Sequence, residues 1–392
     1  MSFGVNKNCR VCLGGVEPVL ELVPTPIANA FTPTPEPFAP RFPLGLSQCK
    51  GCGHVQIGFE IATSELFRDY KYATPPAETP RLEAQARKLA ARYPQALSPR
   101  ANSHNKASVK PQVLEIGSNN GRFLQALNAA GFWAIGVDPA GPSSGLPRWF
   151  THKSATAMRG SMGRMKLILA NNVFAHVEDL RNVVAGVAEL LDEDGRLIFE
   201  VQYLPTLVRG CFFDMIYHEH RDYHTLSPLP KLFKKFGLRV EFVELIPTHG
   251  GSIRVTVERG EPNGNTIPAD PVINWADFSA RIEREAFRIA RAIGQAPHPI
   301  VAFGATAKAT TLIHHCGLQE EIAYCVDDTP GKQGLYIPGT AIEISPSERM
   351  ERERPGSILL TAWNFADVLR SRLSEYPLIV PHQLGLAEER AA

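Results

Sequence analysis

The sequence predicts an α/β protein in three parts, on three observations. The first is a strand–turn–helix–strand unit at residues 113–140, VLEIGSNNGRFLQALNAAGFWAIGVDPA. The second is another strand–turn–helix start at residues 300–308, IVAFGATAK. The third is a pair of C-x-x-C knuckles, CRVC at residues 9–12 and CKGC at residues 49–52. Strands that alternate with amphipathic helices give a mostly parallel sheet covered on both faces. A chain of 392 residues is too long for one ordinary core, so two or three domains are expected.

Composition narrows the class. The apolar fraction of 44% and charged fraction of 21% are those of a soluble globular protein. The net charge of +1 gives no electrostatic footprint for nucleic acid or a membrane surface. No apolar run approaches the roughly 20 residues of a membrane span. The start, MSFGVNKNCR, lacks the apolar core of a signal peptide. Seven cysteines, four of them in knuckles, favour reduced thiols and a metal over a disulfide framework, hence the cytoplasm. A monomer is expected.

The elements follow in order. Cys9, Cys12, Cys49 and Cys52 supply four thiolates, which suit a tetrahedral, structural Zn2+. His54 stands beside the second knuckle, but four cysteines make it unnecessary. The segment between the knuckles carries seven prolines from Pro24 to Pro43 and is expected to be irregular. These features define a zinc-binding domain over 1–70. Leu82, Ala86, Leu89 and Ala90 place a helix over 79–93. Residues 100–110 are polar and are expected to form a loop. Val113, Leu114 and Ile116 form a buried strand that ends at Gly117, and a helix then leads to a second strand ending on Asp138.

Farther on, a strand over 166–170 ends at Asn171-Asn172, and a helix spans 179–191. A turn over 192–195 leads to a strand over 196–201, and a helix spans 229–236. Two closing strands, 239–246 and 252–258, meet through His249-Gly250-Gly251 and are expected to be antiparallel. This central domain spans 71–260. After a Pro/Gly/Asn-rich break, a helix over 275–293 carries Phe278, Ile282, Phe287, Ile289 and Ile293. Strands over 300–303, 322–326 and 357–361 then make a Rossmann-like domain over 261–392. Lys308 opens its first helix, where backbone N–H groups and the lysine charge can take a phosphate. The alternative is a domain that only packs and closes the cleft.

The central turn decides the cofactor class. Glu115-x-Gly117-x-x-x-Gly121 does not fit the G-x-G-x-x-G of dinucleotide sites. It resembles the S-adenosylmethionine (SAM) loop of class I methyltransferases. That resemblance implies a doubly wound sheet with Gly117 and Gly121 at the methionine end and Asp138 on the adenosine ribose. Glu115, Ser118 and Asn119 complete the loop, and Asn171 and Asn172 face cofactor and substrate from the next strand.

The run Asp214 to Tyr223, DMIYHEHRDY, is dense in titratable groups. It reads as a solvated loop, as a metal site from His218, Glu219 and His220, or as an acid–base cluster in a cleft.

Together these motifs resemble the three-domain sugar C-methyltransferases that act on nucleotide-linked ketosugars in deoxysugar biosynthesis. The resemblance rests on CRVC, CKGCGH, LFRDYKY, VLEIGSNNG with GVDPA, NNVFAHV, YHEH with Tyr223, HGGSIRV, FGATAKATTLI and DDTPGKQGLYIPGT. It implies SAM-dependent methylation of carbon alpha to a 4-ketone through an enolate. His220 would be the general base, with Tyr217, Glu219, His176 and Tyr72 around the sugar and Glu219 orienting His220. Tyr223, His249 and Lys308 would complete the substrate site. The chain departs from the family pattern at Thr74-Pro75-Pro76, Gln202 and Arg221-Asp222, near the expected sugar side, and at Thr306 and Ala309 near the nucleotide side. Two alternatives follow: the same scaffold acting on another C, O or N acceptor, and a non-catalytic zinc- and SAM-binding partner protein.

Overall fold

A computed structural model describes residues 3–67, 74–97, 100–102, 105–139, 145–262 and 267–383. Among them no helix is long and apolar enough to cross a membrane.

Near the N-terminus the antiparallel strands Val16–Thr25, Phe42–Cys49 and Val55–Ile57 lie side by side. Their sheet gains a fourth strand from far along the chain, Asp222–Tyr223, which pairs with Val55–Ile57. The inter-knuckle segment is therefore irregular only over its middle, 26–41, and strands occupy both ends. Burial of Leu20, Leu22 and Thr25 drives the first of these strands. It runs at the sheet edge, where Pro18 and Pro24 cost few ladder hydrogen bonds.

The central sheet has seven strands in the order Gly145–Pro147, Ala134–Asp138, Val113–Ile116, Met165–Asn171, Leu191–Gln202, Ser252–Arg259, Leu238–Ile246. The first five are parallel and the last two antiparallel. Residues 192–195 do not break the strand: Met165 pairs with Leu191 and Leu167 with Arg196, so the four residues bulge out of register. Residues 100–110 are not a plain loop. Arg100–Asn102 and Asn105–Lys110 pair as a short antiparallel hairpin.

The C-terminal sheet has five parallel strands, Ile344–Ser345, Ile322–Val326, Ile300–Phe303, Ser357–Leu359 and Leu378–Ile379. The helix Trp275–Gln295 buries Phe278, Ile282, Ile289 and Ile293 on one stripe. Phe287 falls off that stripe and is 69% exposed.

The cores explain how the parts join. The N-terminal sheet residues Leu20, Leu44, Leu46 and Ile57 are continuous with the C-terminal core of Ile300, Val301 and Leu312. Leu204, Leu207, Phe213 and Ile216, from the segment after Gln202, lie in the same cluster. That segment then delivers residues 217–223 to the seam between the three sheets.

Candidate active site

The cofactor crevice is built at the carboxyl ends of the parallel strands. Gly117 has φ +72°. Any side chain there would put its Cβ 2.4 Å from Val173 Cγ2, so glycine is required on both counts. The Gly117 N–H donates to the Val137 carbonyl at 2.8 Å, locking the two strand ends together. The Asp138 carboxylate, 9% exposed, accepts the Asn119 N–H at 2.9 Å. The Asn119 side chain turns the other way and accepts the Thr74 N–H at 2.9 Å. Asn120 and Arg122 both donate to the Thr74 carbonyl. Thr74 therefore clamps the cofactor turn. Ser118 packs on Gly136, where a Cβ would lie 2.3 Å from its Oγ.

Glu115 is buried, and burial, reinforced by the nearby Asp138, holds its carboxyl well above the ordinary carboxylate range. Its Oε2 has no partner among the described residues. Asn171 exchanges hydrogen bonds with Gln85, and the Asn172 N–H donates to the Glu200 carbonyl at 2.7 Å. A glycine turn open to a ligand, a fixed acid at the next strand end and a buried carboxyl oxygen without a partner fit SAM.

A second cluster is linked to this turn through Val173, which packs on Gly117 and whose carbonyl accepts the His176 N–H at 2.8 Å. His220 is 8% exposed. Its Nδ1 donates to the Met215 carbonyl at 2.9 Å, which leaves Nε2 as the acceptor for the Tyr217 hydroxyl at 2.6 Å. The His176 ring stands edge-on, 4.7 Å between centroids, and its Nδ1 donates to the Glu219 carbonyl at 2.9 Å. Burial, followed by the neighbouring His176, drives the His220 pKa well below its ordinary value. Burial lowers His176 to about 4. Both rings are neutral near pH 7, and His220 presents an unprotonated Nε2.

Glu219 does not orient His220. Its Oε1 accepts the Asn29 backbone N–H at 3.1 Å and the Asn29 side-chain amide at 3.0 Å. His218 Nε2 donates to the Pro43 carbonyl at 3.1 Å. Residues 218–220 thus reach three separate partners and form no metal site. Tyr223 is buried with its ring 6.2 Å from His220, and its hydroxyl has no partner among the described residues. His249 lies in the turn Thr248–Gly250 with φ +52°. Tyr72 lies outside the described residues.

Burial raises the Glu219 carboxyl to about 7. A carboxyl that holds its proton more tightly folded than unfolded weakens the fold as pH rises between those two pKa values, here from 4.5 to about 7. Glu219→Gln is expected to melt above the wild type at pH 8 and level with it near pH 5. Calorimetry at the two pH values checks this.

Lys308 is buried and bonded to Asn364 Oδ1, with its ammonium 4.3 Å from the centre of the Trp363 ring. Burial lowers its pKa to about 8. The C-terminal turn repeats the central device: Asp327 Oδ2 accepts the Ala305 N–H at 2.8 Å. Here, however, Lys332 Nζ reaches the Ala305 carbonyl at 2.7 Å and Asp327 at 3.4 Å, so the acid is already neutralised. Sequence spacing gave no sign of Lys332.

The four knuckle sulfurs lie within 4.8 Å of one another, with Cys9–Cys52 at 3.5 Å and Cys12–Cys49 at 3.4 Å. Tetrahedral zinc with bonds of about 2.3 Å needs sulfurs about 3.8 Å apart. The set fits. His54 Nε2 meets Asp222 at 2.8 Å and takes no part.

Three family models match successive stretches of the chain: a zinc binding domain at residues 9–67, a methyltransferase domain at 82–242, and a C-methyltransferase C-terminal domain at 247–378. The C-methyltransferase NovU of Streptomyces niveus is 29% identical over 400 residues, covering 94% of this chain and 92% of NovU. The chain has the three-domain layout of these models and is a SAM-dependent methyltransferase. Among solved structures, magnesium protoporphyrin IX methyltransferase of Synechocystis with bound SAH is 14% identical, with 47% of this chain and 84% of that chain aligned at a TM-score of 0.32. The CcbJ methyltransferase of Streptomyces caelestis is 12% identical, at 48% and 97% coverage and a TM-score of 0.31.

The side chains of Arg221 and Asp222 turn toward the N-terminal domain. Arg221 donates to the Ile61 carbonyl and Thr63 Oγ1, both at 2.9 Å, and pairs with Glu60. Asp222 receives Arg10 and His54. Both residues tie the segment 217–223 to the zinc module.

Proposed function

We propose that the chain methylates a nucleotide-linked 4-ketosugar at the carbon alpha to the ketone, with His220 as general base. The observation that carries this reading is the neutral His220 ring, whose Nδ1–H is held by Met215 and whose basic Nε2 meets Tyr217. A sugar carbon is not nucleophilic until it loses its alpha proton. Nε2 takes that proton, and the C–H electron pair moves into an enolate. The Tyr217 hydroxyl turns from Nε2 to the developing oxyanion, where a preorganised donor is worth most. SAM, when bound, supplies an electrophilic methyl on a sulfonium. Gly117 and Gly121 would let it approach the backbone, the Asp138 carboxylate would take its ribose hydroxyls, and Glu115 lies on the strand before the turn. The enolate carbon would gain the methyl as the methyl–sulfur bond breaks and its electron pair stays on sulfur, leaving a neutral thioether and a restored ketone, and the proton on His220 leaves to solvent.

Tyr223 and His249 wall the sugar, and Lys308, with its charge under Trp363, serves the nucleotide end. His176 stands beside the His220 ring as a neutral neighbour at pH 7. The test is mass spectrometry of a nucleotide 4-ketosugar incubated with enzyme and SAM: the sugar should gain one methyl at carbon. An unchanged sugar, with methyl transfer to a hydroxyl or amine acceptor instead, would sink the reading. Asp138→Ala is expected to weaken SAM binding about 10–100-fold, the loss of charge-assisted hydrogen bonds of about 1.5–3 kcal/mol. Isothermal calorimetry measures it.

A further inference from the structure

We infer that Arg10, which sits between the zinc ligands Cys9 and Cys12, is a positioning residue for the two active-site histidines. One guanidinium reaches the flanks of both. Its Nε lies 3.0 Å from each oxygen of Asp222, two residues after His220. Its Nη2 donates to the Val177 carbonyl, next to His176, at 2.5 Å. Its Nη1 donates to Glu60 at 3.1 Å, and Glu60 also pairs with Arg221. The Arg10 backbone N–H donates to Gln56 Oε1 at 2.9 Å, and Gln56 stands opposite Asp222 in the strand pair. The same pair is closed by the Ile57 N–H on the Arg221 carbonyl, at 3.0 Å, and the Arg221 N–H on the Ala175 carbonyl, at 2.7 Å.

The knuckle fixes Arg10 because its backbone runs between two ligands of one metal. The Arg10 side chain is 9% exposed and that of Asp222 fully buried, so the pair is shielded from salt and its loss leaves a buried carboxylate short of its main cation. The segment 217–223 has little regular structure of its own, apart from the two-residue strand Asp222–Tyr223. Its order comes from these partners. The zinc module is therefore part of the frame that holds His220 against His176.

The inference rests on the proposed role of His220, and its test separates the two. Arg10→Gln is compared with wild type by zinc content, SAM calorimetry, amide exchange over 217–224 and methyl transfer. Expected are one zinc per chain, SAM affinity within about twofold, faster amide exchange over 217–224, and kcat lower by about 10–100-fold with the KM for SAM unchanged. Arg10→Lys should recover part of kcat, since one ammonium meets Asp222 but cannot also reach Val177 and Glu60. If Arg10→Gln loses zinc, Asp222→Asn applies the same test from the other partner. Amide exchange and kcat both at wild-type values would overturn the inference. If no ketosugar is turned over even by wild type, the exchange comparison still decides it.

Discussion

His220→Asn is expected to lower methyl transfer by about 10²- to 10⁴-fold, the usual range for a lost general base. Asparagine can keep the hydrogen bond to the Met215 carbonyl but offers no basic nitrogen toward Tyr217. SAM affinity should not change, because the cofactor turn is held by Val137, Asp138 and Thr74 and not by His220. Paired calorimetry and single-turnover kinetics measure both quantities. The pH profile gives a second view. The His220 pKa lies well below 6.5, so the base form is complete above that pH and the acid limb of kcat should fall below it. A variant that kept its rate, or lost SAM along with it, would remove His220 from the chemistry.

Removing the metal is expected to have the larger structural effect. Structural zinc in small cysteine sites contributes on the order of 10 kcal/mol to folding, comparable to the whole stability of a typical domain. Cys49 ends the strand Phe42–Cys49, whose Leu44 and Leu46 share one core with the C-terminal sheet, while Cys9 and Cys49 pack into the core of the central sheet. Loss of zinc should therefore spread beyond residues 9–52. Cys49→Ser, or a strong chelator, is expected to lower the melting temperature by roughly 10 °C or more and to abolish turnover. Metal analysis alongside calorimetry checks it. A zinc-free protein with an unchanged melting curve would contradict this account of the knuckles.

Much of the architecture was legible because it rests on local patterns. The strand over 113–116, the positive-φ turn at Gly117 and Gly121 and the acid at Asp138 lie within one short stretch, and local chemistry dictates each. The closing pair Leu238–Ile246 and Ser252–Arg259 carries apolar residues at alternate positions, Leu238 and Val240 on one strand and Ile253, Val255 and Val257 on the other, all of them buried. The knuckles needed only their spacing. What the sequence hid was long-range pairing. Arg10 and Asp222 are 212 residues apart, and nothing in CRVC announces a partner in YHEHRDY. Glu219 sits one residue from His220 yet bonds Asn29, because the two lie in a turn closed by the His220 N–H on the Tyr217 carbonyl. Lys332 neutralises Asp327 through a turn that no strand or helix period foretells. Phe287 is as apolar as the core positions of its helix, but it falls outside the 3.6-residue stripe.

The central claim is that Nε2 of His220 removes a proton from carbon before any methyl moves. The most direct measurement is deuterium uptake at the alpha carbon of a nucleotide 4-ketosugar. The sugar is incubated in deuterated water with enzyme and S-adenosylhomocysteine, so that exchange is read without transfer. The account predicts uptake by the wild type and loss of uptake by His220→Asn, with cofactor affinity equal in the two. Equal uptake by both proteins would contradict it.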